Sequence, residues 1–179
     1  LFIDAGSGTY TKRTFSPLRY TIWTMNSDYH NTLNFGDTVQ VKGREYKADV
    51  ISYDEQSGKL ALDLKNAYPE EAGVIMYVRD ASLENGVITL KDKFALREAK
   101  KAVFTLMTLG EPESVSAGEF VYKGRRVRFD PALAYSFEEV SCDTPETVNV
   151  PAKWKSDRIC RIRLTAPESV TGEYTLTIE

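Results

Sequence analysis

Short apolar runs that alternate with polar residues recur along the chain, and this period of two predicts β-strands. Over residues 160–164 every second residue is apolar, and Arg161 and Arg163 between them are expected to face solvent. The same alternation returns over 174–178. Residues 103–109 are apolar or Thr throughout, which is typical of a strand covered on both faces.

Glycine-containing turn dipeptides separate these runs and predict hairpins. They are Lys42-Gly43, Ser57-Gly58, Asn85-Gly86 and Lys123-Gly124. Asn85-Gly86 is the strongest of these signals, because both residues tolerate the positive φ angles of a two-residue hairpin loop. The pattern as a whole predicts an all-β fold, an antiparallel β-sandwich built from hairpins.

The segment 16–25 departs from the strand pattern. Ser16 and Pro17 suit the N-cap and first position of a helix, although the β-branched residues that follow weaken a helix. A helix there would place three apolar residues on one face, Leu18, Ile22 and Met25. We therefore expect one irregular or short helical segment near residues 16–25.

Composition narrows the class of protein. The 179 residues are about one domain in length, so residues 1–179 are expected to form a single β-sandwich domain. A net charge of -3 gives no reason to expect a nucleic-acid partner, and no apolar run has the length to predict a membrane partner. One His excludes a metal site made of several His of this chain. The two Cys are expected to be buried and unpaired rather than joined in a disulfide.

The first residues, Leu1–Ala5, have the composition of the middle of a strand. No targeting segment precedes them, so we expect the chain to be a fragment of a longer protein. A fragment that lacks neighbouring strands would expose an apolar edge near Leu1–Ala5, and such an edge favours self-association.

Asp4 and His30 are candidate metal ligands. A carboxylate in an apolar strand is costly unless it is paired or bound to a cation. Together the two residues offer zinc one oxygen and one nitrogen, which is fewer than the three or four ligands of a complete site. The alternative is that Asp4 accepts a hydrogen bond from the turn that follows it and His30 caps a loop.

A polar-aromatic cluster suits an acidic saccharide, because aromatic faces stack on sugar rings and arginine pairs with carboxylate or sulfate. Its members are Arg19, Tyr20, Trp23, Tyr29 and His30. The alternative is an aromatic-rich loop that packs on its own domain. The basic hairpin 123–128 could attract a polyanion, although solvated charges at a hairpin tip are the commoner meaning.

Several stretches of the sequence resemble the heparinase II/III-like family. They are Ile3-Asp4-Ala5-Gly6, Gly8-Thr9-Tyr10-Thr11, Phe15-Ser16-Pro17, Arg19-Tyr20, Trp23-Thr24-Met25, Tyr29-His30-Asn31, Gly43-Arg44-Glu45, the run from Ala67 to Gly73, and Trp154 with Arg161-Ile162. The resemblance covers essentially the whole chain, and it is most specific between Asp4 and Asn31.

The resemblance implies a polysaccharide lyase with an N-terminal (α/α) toroid and a C-terminal β-sandwich, of which this chain would be the C-terminal part. Such enzymes cleave uronic-acid-containing glycans by β-elimination. The resemblance implies that Asp4 and His30 are ligands of a structural Zn2+, and that Arg19, Tyr20 and Trp23 lie near the cleft as substrate or domain-interface residues. Tyr29 and Asn31 are the further candidates for substrate binding. It also implies a bacterial protein that is periplasmic or secreted.

The toroid and the upstream His-x-His segment of that family are missing from this sequence. The expected zinc site is therefore incomplete and the chain contains no catalytic residue, so we expect it to be inactive in isolation. Its expected partners are the missing toroid domain and an acidic polysaccharide. Two alternatives remain open, namely a stand-alone carbohydrate-binding β-sandwich and a purely structural module.

Overall fold

The computed structural model describes residues 1–179 and contains two antiparallel sheets, which confirms the predicted all-β sandwich class. Its strands are β1 Leu33–Phe35, β2 Asp49–Asp54, β3 Lys59–Asp63, β4 Val74–Glu84, β5 Val87–Lys100, β6 Ala102–Thr108, β7 Ser114–Ser116, β8 Glu119–Tyr122, β9 Arg125–Phe129, β10 Ala134–Val140, β11 Ile159–Thr165 and β12 Ser169–Ile178. The helical elements are the 3-10 turns Arg13–Phe15, Pro17–Thr21, Trp23–Met25, Ser27–Tyr29, Lys65–Ala67 and Glu70–Ala72, and the single-turn helix α1 Val150–Lys153. None of these helices is long or apolar enough to cross a membrane.

The chain divides into two compact units. The first consists of Leu1–Asn34, Val103–Glu111 and Ala134–Thr165, and the second of Phe35–Ala102, Pro112–Leu133 and Ala166–Glu179. One sheet has the strand order β1-β6-β11-β10, and the other has the order β2-β3-β4-β5-β12-β9-β8-β7. That residues 1–179 form a single domain stays a prediction.

The first unit has a core to which strands and irregular segments both contribute. Its buried members are Ile3, Ala5, Met107, Val140, Val150 and Ile159. β6 is buried at nearly every position, as its continuous apolar sequence predicts. Within Leu1–Ala5, Ile3 and Ala5 are only 5% and 3% exposed whereas Leu1 is 39% exposed, and the expected self-association stays a prediction.

The predicted strand over Leu1–Ala5 is wrong, because residues 1–11 belong to no strand. Ile3 donates its backbone N–H to the Met107 carbonyl at 2.9 Å, but this contact does not extend into a ladder. The side chain of Asn31 accounts for the difference. It accepts from the Met107 N–H at 2.8 Å and donates to the Ile3 carbonyl at 2.9 Å, as a neighbouring backbone would.

The second unit is organised around buried aromatic rings and one buried ion pair. The ring of Phe35 makes edge contacts with those of Tyr77 and Phe94, at centroid distances of 5.7 and 5.0 Å. Asp92 accepts hydrogen bonds from the Tyr77 hydroxyl at 2.7 Å and from the Arg79 Nε at 2.8 Å. Burial raises the pKa of Tyr77 well above its ordinary value, and the charge of Asp92 adds to this effect.

Three of the four predicted hairpins are confirmed. Ser57-Gly58 joins β2 to β3, Asn85-Gly86 joins β4 to β5, and Lys123-Gly124 joins β8 to β9. Lys42-Gly43 does not form a hairpin, because residues 38–41 make only one isolated bridge, from Thr38 to Phe35 of β1, and no strand begins between Phe35 and Asp49.

The predicted helical segment near residues 16–25 is confirmed as a series of 3-10 turns. Ser16 caps the turn Pro17–Thr21, since its Oγ accepts from the Leu18 N–H at 3.1 Å. The predicted apolar face is wrong at Leu18, which is 58% exposed while Ile22 is buried. Three residues per turn do not bring side chains four apart onto one face, as an α-helix does.

Both cysteines are free thiols, so the prediction that they are unpaired is confirmed. Cys160 is buried and Cys142 is half-buried. Burial raises the pKa of the Cys160 thiol to about 11, with a further contribution from the charge of Glu139.

Candidate metal and saccharide site

Asp4 and His30 lie in contact, as predicted. The His30 Nδ1 is 3.1 Å from the Asp4 Oδ2, and the His30 Nε2 is 3.3 Å from the carbonyl oxygen of buried Thr24. Two acceptors therefore face the imidazole ring. A neutral imidazole has one N–H and satisfies one of them, whereas an imidazolium satisfies both.

The Asp4 carboxylate is held by the turn that follows it. Its Oδ1 accepts from the Gly6 N–H at 2.8 Å, and Gly6 has a φ of 65°, a conformation that favours glycine. Partial burial acts to raise the pKa of Asp4, but the hydrogen bond from Gly6 and the interaction with His30 outweigh it and lower the pKa. The carboxylate is thus charged at neutral pH and, with its side chain 63% exposed, open to a cation.

The separation of the two side chains is that of a hydrogen bond, and it is also compatible with two ligands of one zinc ion. Nitrogen and oxygen ligands at about 2.0–2.2 Å from a tetrahedral zinc ion are roughly 3.3 Å apart. The Nδ1–Oδ2 distance of 3.1 Å is within a few tenths of that value. No group of three or more His, Cys, Asp or Glu side chains is arranged to hold a metal ion, so Asp4 and His30 do not form a complete ligand set within this chain.

Asn31 fixes the positions of both candidate ligands. Its amide bridges Ile3 and Met107, and these residues are next to Asp4 in sequence and in the buried core, respectively. The bridge therefore brings Asp4, which follows Ile3, next to His30, which precedes Asn31. The role of Asn31 in substrate binding stays a prediction.

Trp23 forms an aromatic pair with Tyr29, which directly precedes His30 in the sequence. Their ring centroids are 5.5 Å apart at a tilt of 46°, and the Trp23 Nε1 donates to the Ser141 carbonyl at 3.0 Å. Partial burial raises the pKa of Tyr29, and the charge of Glu138 raises it further. Both rings pack partly on the core of the first unit, so they are held in place.

Arg161 is a residue of this site that the sequence pattern assigned wrongly. The alternation of β11 predicts a solvent-facing side chain, but Arg161 is only 3% exposed. Its guanidinium carbon is 3.9 Å from the Tyr29 ring centroid, and its Nη1 donates to the Asp28 carbonyl at 3.0 Å. Its Nε donates to the Glu138 carboxylate at 2.5 Å, and its Nη2 contacts the same oxygen. The segment Ser27–Tyr29 covers this face, which a strand pattern alone does not reveal.

Arg19 and Tyr20 are neighbours in the turn Pro17–Thr21. The guanidinium carbon of half-buried Arg19 lies 6.0 Å from the Tyr20 ring centroid, and its Nη2 is 3.8 Å from the Met25 sulfur. Tyr20 is 39% exposed. The pair presents a cation and an aromatic face, the two groups that recognise an acidic sugar.

Comparison with known proteins identifies a shared fold. No protein-family model matches the sequence, and no curated protein matches it significantly. Among solved structures, a heparinase III gene product has a TM-score of 0.71 at 13% identity, over 99% of this chain and 28% of its own. Heparan sulfate lyase HepC from Pedobacter heparinus has a TM-score of 0.65 at 14% identity, over 99% and 28%. A further heparinase III has a TM-score of 0.63 at 15% identity, over 99% and 27%.

The chain is similar in fold to one part of heparinase III. It spans little more than a quarter of the length of these structures, while nearly all of this chain is matched. The expected likeness to a β-sandwich part of such enzymes is therefore confirmed at the level of fold, and that this part is C-terminal stays a prediction.

Proposed function

We propose that this chain is the β-sandwich part of a polysaccharide lyase that cleaves uronic-acid-containing glycans by β-elimination. The observation that carries the proposal is the 3.1 Å contact between Asp4 and His30, which are 26 residues apart in the sequence. The resemblance requires these two positions to meet, and the fold match to heparinase III gives independent support.

In this proposal Asp4 and His30 hold a structural Zn2+ together with ligands from outside these 179 residues. The ion, when bound, ties the opening segment to the loop that contains His30 and so stiffens the wall of the cleft. Its site lies beside the aromatic pair Trp23 and Tyr29, which are held by the core of the first unit.

The reaction needs the uronate carboxylate neutralised, the C5 proton removed and the leaving oxygen protonated. In our proposal Arg19 pairs with a carboxylate or sulfate of the glycan, while Tyr20, Trp23 and Tyr29 offer faces to its sugar rings and Asn31 lines the cleft. The acid and base come from a toroid domain, the expected partner, so this chain alone does not turn over substrate. We further propose a periplasmic or secreted location.

A heparan sulfate oligosaccharide is the probe that tests this proposal. We expect the 179-residue protein to bind it without forming the unsaturated uronate product, which is detected by ultraviolet absorbance. Arg19→Gln and Trp23→Ala should each weaken binding about 5- to 10-fold, the value of one charge-assisted or stacking contact. Tyr53→Ala, at a 67% exposed tyrosine of β2, is the matched control and should change nothing.

Two results would contradict the proposal. Equal affinity of the Arg19→Gln, Trp23→Ala and unmodified proteins would remove the saccharide site. Formation of product by the isolated chain would show that it contains its own catalytic groups.

A further inference from the structure

The segment 5–27 carries positive charges and no negative charge. It contains three cations, Lys12, Arg13 and Arg19, and no Asp or Glu, in a protein whose net charge is -3. The segment forms the first three 3-10 turns and the loop before them, so its cations belong to one continuous stretch of the first unit. Such a stretch attracts anions locally even though the whole molecule is acidic.

Two aromatic side chains of this segment are exposed side by side. Phe15 is 77% exposed, more than any other large hydrophobic residue in the structure, and Tyr10 is 54% exposed. Their ring centroids are 5.8 Å apart at a tilt of 39°. An exposed pair of rings leaves apolar area in water that a ligand would remove, and it is distinct from the half-buried pair of Trp23 and Tyr29.

The cations beside these rings are available to a ligand. Neither Lys12 nor Arg13 has a carboxylate within 4.0 Å, whereas Arg126 and Arg128 of β9 both pair with Glu119. Arg13 is instead oriented by the Thr21 hydroxyl, to which its Nη2 donates at 2.6 Å, while its buried Nε makes no hydrogen bond.

One acidic residue, Glu146, interacts with the charge of Arg13 but does not cover the exposed side chains. Glu146 interacts electrostatically with Arg13, but it is only 4% exposed and its carboxylate accepts a hydrogen bond from the Thr11 hydroxyl. Glu146 therefore offsets part of the Arg13 charge but is not itself exposed on this surface, where Lys12 and Arg13 are the charged side chains.

We propose that Tyr10, Lys12, Arg13 and Phe15 form a second binding surface for an acidic oligosaccharide, separate from the Asp4–His30 site. The two rings stack on sugar faces, and the two cations bind sulfate or carboxylate groups. The inference rests on the proposed function for the class of ligand, and it extends contact with the glycan to residues beyond the cleft wall. The turn Pro17–Thr21, which contains Arg19 and Tyr20, follows directly in the sequence and is joined to Arg13 through the Thr21 hydroxyl.

Binding of a fluorescent heparan sulfate octasaccharide to the full 179-residue protein tests this surface. The double variants Tyr10→Ala/Phe15→Ala and Lys12→Gln/Arg13→Gln should each lower the affinity about tenfold. The cation variant should also weaken the salt dependence of binding, because two screened charge contacts are lost. A neutral dextran oligosaccharide should not bind.

The matched controls lie in the second unit. Lys123→Gln/Arg125→Gln removes two exposed cations of the β8–β9 hairpin, and Tyr53→Ala removes an exposed ring, and both should leave the affinity within twofold. An equal loss of octasaccharide affinity in the hairpin variant would overturn the proposed surface, since any exposed cation would then contribute equally to binding. Equally tight binding of single-stranded DNA would overturn the saccharide assignment.

The result also separates the two proposals. If both double variants of the second surface keep full affinity while Trp23→Ala loses it, the second surface is refuted and the proposed function stands. If the unmodified protein does not bind the octasaccharide, both are refuted.

Discussion

Arg161 connects the loop that contains His30 to the strand beneath it. Its guanidinium contacts the Tyr29 ring, the Asp28 carbonyl and the Glu138 carboxylate, and the first two of these immediately precede His30. A buried charge is stable only when its hydrogen bonds are satisfied, so each of these contacts also stabilises Arg161 itself. The candidate ligand is therefore positioned by a cation from a strand far along the chain.

Replacement of Arg161 tests this connection. Arg161→Met should reduce the free energy of unfolding by roughly 2–3 kcal/mol, because the Asp28 carbonyl loses its donor and the cation–π contact is lost. The measurement is urea unfolding followed by circular dichroism. Arg163→Met is the control on the same strand. The Arg163 side chain is 38% exposed and its ion pair with Glu138 is long, at 3.7 Å, so this variant should lose about 0.5 kcal/mol or less of the free energy of unfolding. Equal losses in the two variants would show that Arg161 has no special role.

For individual residues, the sequence predicted the candidate ligands Asp4 and His30 but not the groups that hold His30 in position. The resemblance named Asp4 and His30 together, and the structure places them in contact. The period of β11 predicted an exposed Arg161, because alternation reports the faces of a strand and not the irregular segments that cover them. The acceptor role of the Thr24 carbonyl also has no sequence signal, since it belongs to the backbone.

At the scale of elements, the first unit uses irregular structure where a strand or helix would ordinarily stand. Four consecutive 3-10 turns run from Arg13 to Tyr29, and the opening segment is joined to β6 through the Asn31 side chain. These segments, together with His30 and Asn31 that directly follow the last turn, contribute every predicted site residue. The sheets contribute the surfaces on which they pack.

The hairpin turn at Asn85-Gly86 offers a test of the element-scale account. Gly86 has a φ of 80°, and a Cβ added there would meet no atom within 4 Å, so the backbone angle alone disfavours alanine. Gly86→Ala should lower the free energy of unfolding by about 1 kcal/mol. A Cβ added at Gly110 would also enter open space, but the φ of Gly110 is not positive, so Gly110→Ala should change stability by about 0.5 kcal/mol or less. A neutral Gly86→Ala variant in thermal unfolding would contradict this explanation of the turn.

The elements differ in how far the sequence specifies them. Asn85-Gly86 and Lys123-Gly124 adopt positive φ at both residues, and their flanking residues pair, so turn chemistry and strand pattern agree. Lys42-Gly43 has the same type of dipeptide, but residues 38–41 make only an isolated bridge from Thr38 to Phe35 and form no strand. A turn signal therefore predicts a hairpin only where both flanking segments have a place in a sheet.

At the scale of the whole molecule, all the predicted site residues belong to the first of two compact units. The stretch between Asp4 and Asn31, on which the resemblance chiefly rests, lies entirely in that unit. Nearly the whole chain nevertheless matches heparinase III in fold at 13–15% identity. The three confirmed hairpins all lie in the second unit, so turn dipeptides and strand pattern made its fold predictable without residue-specific similarity.

Zinc titration followed by NMR of the histidine ring tests the central claim, a cation-binding corner formed by Asp4 and His30. The chain has one His, so its imidazole signals belong to His30 without ambiguity. We predict saturable shifts of these signals, weakened about tenfold or more by Asp4→Asn. Asp54→Asn should leave the titration unchanged, because Asp54 accepts from a turn N–H as Asp4 does but has no histidine beside it. An imidazole that does not respond to zinc, or responds equally in the Asp4→Asn variant, would contradict the account.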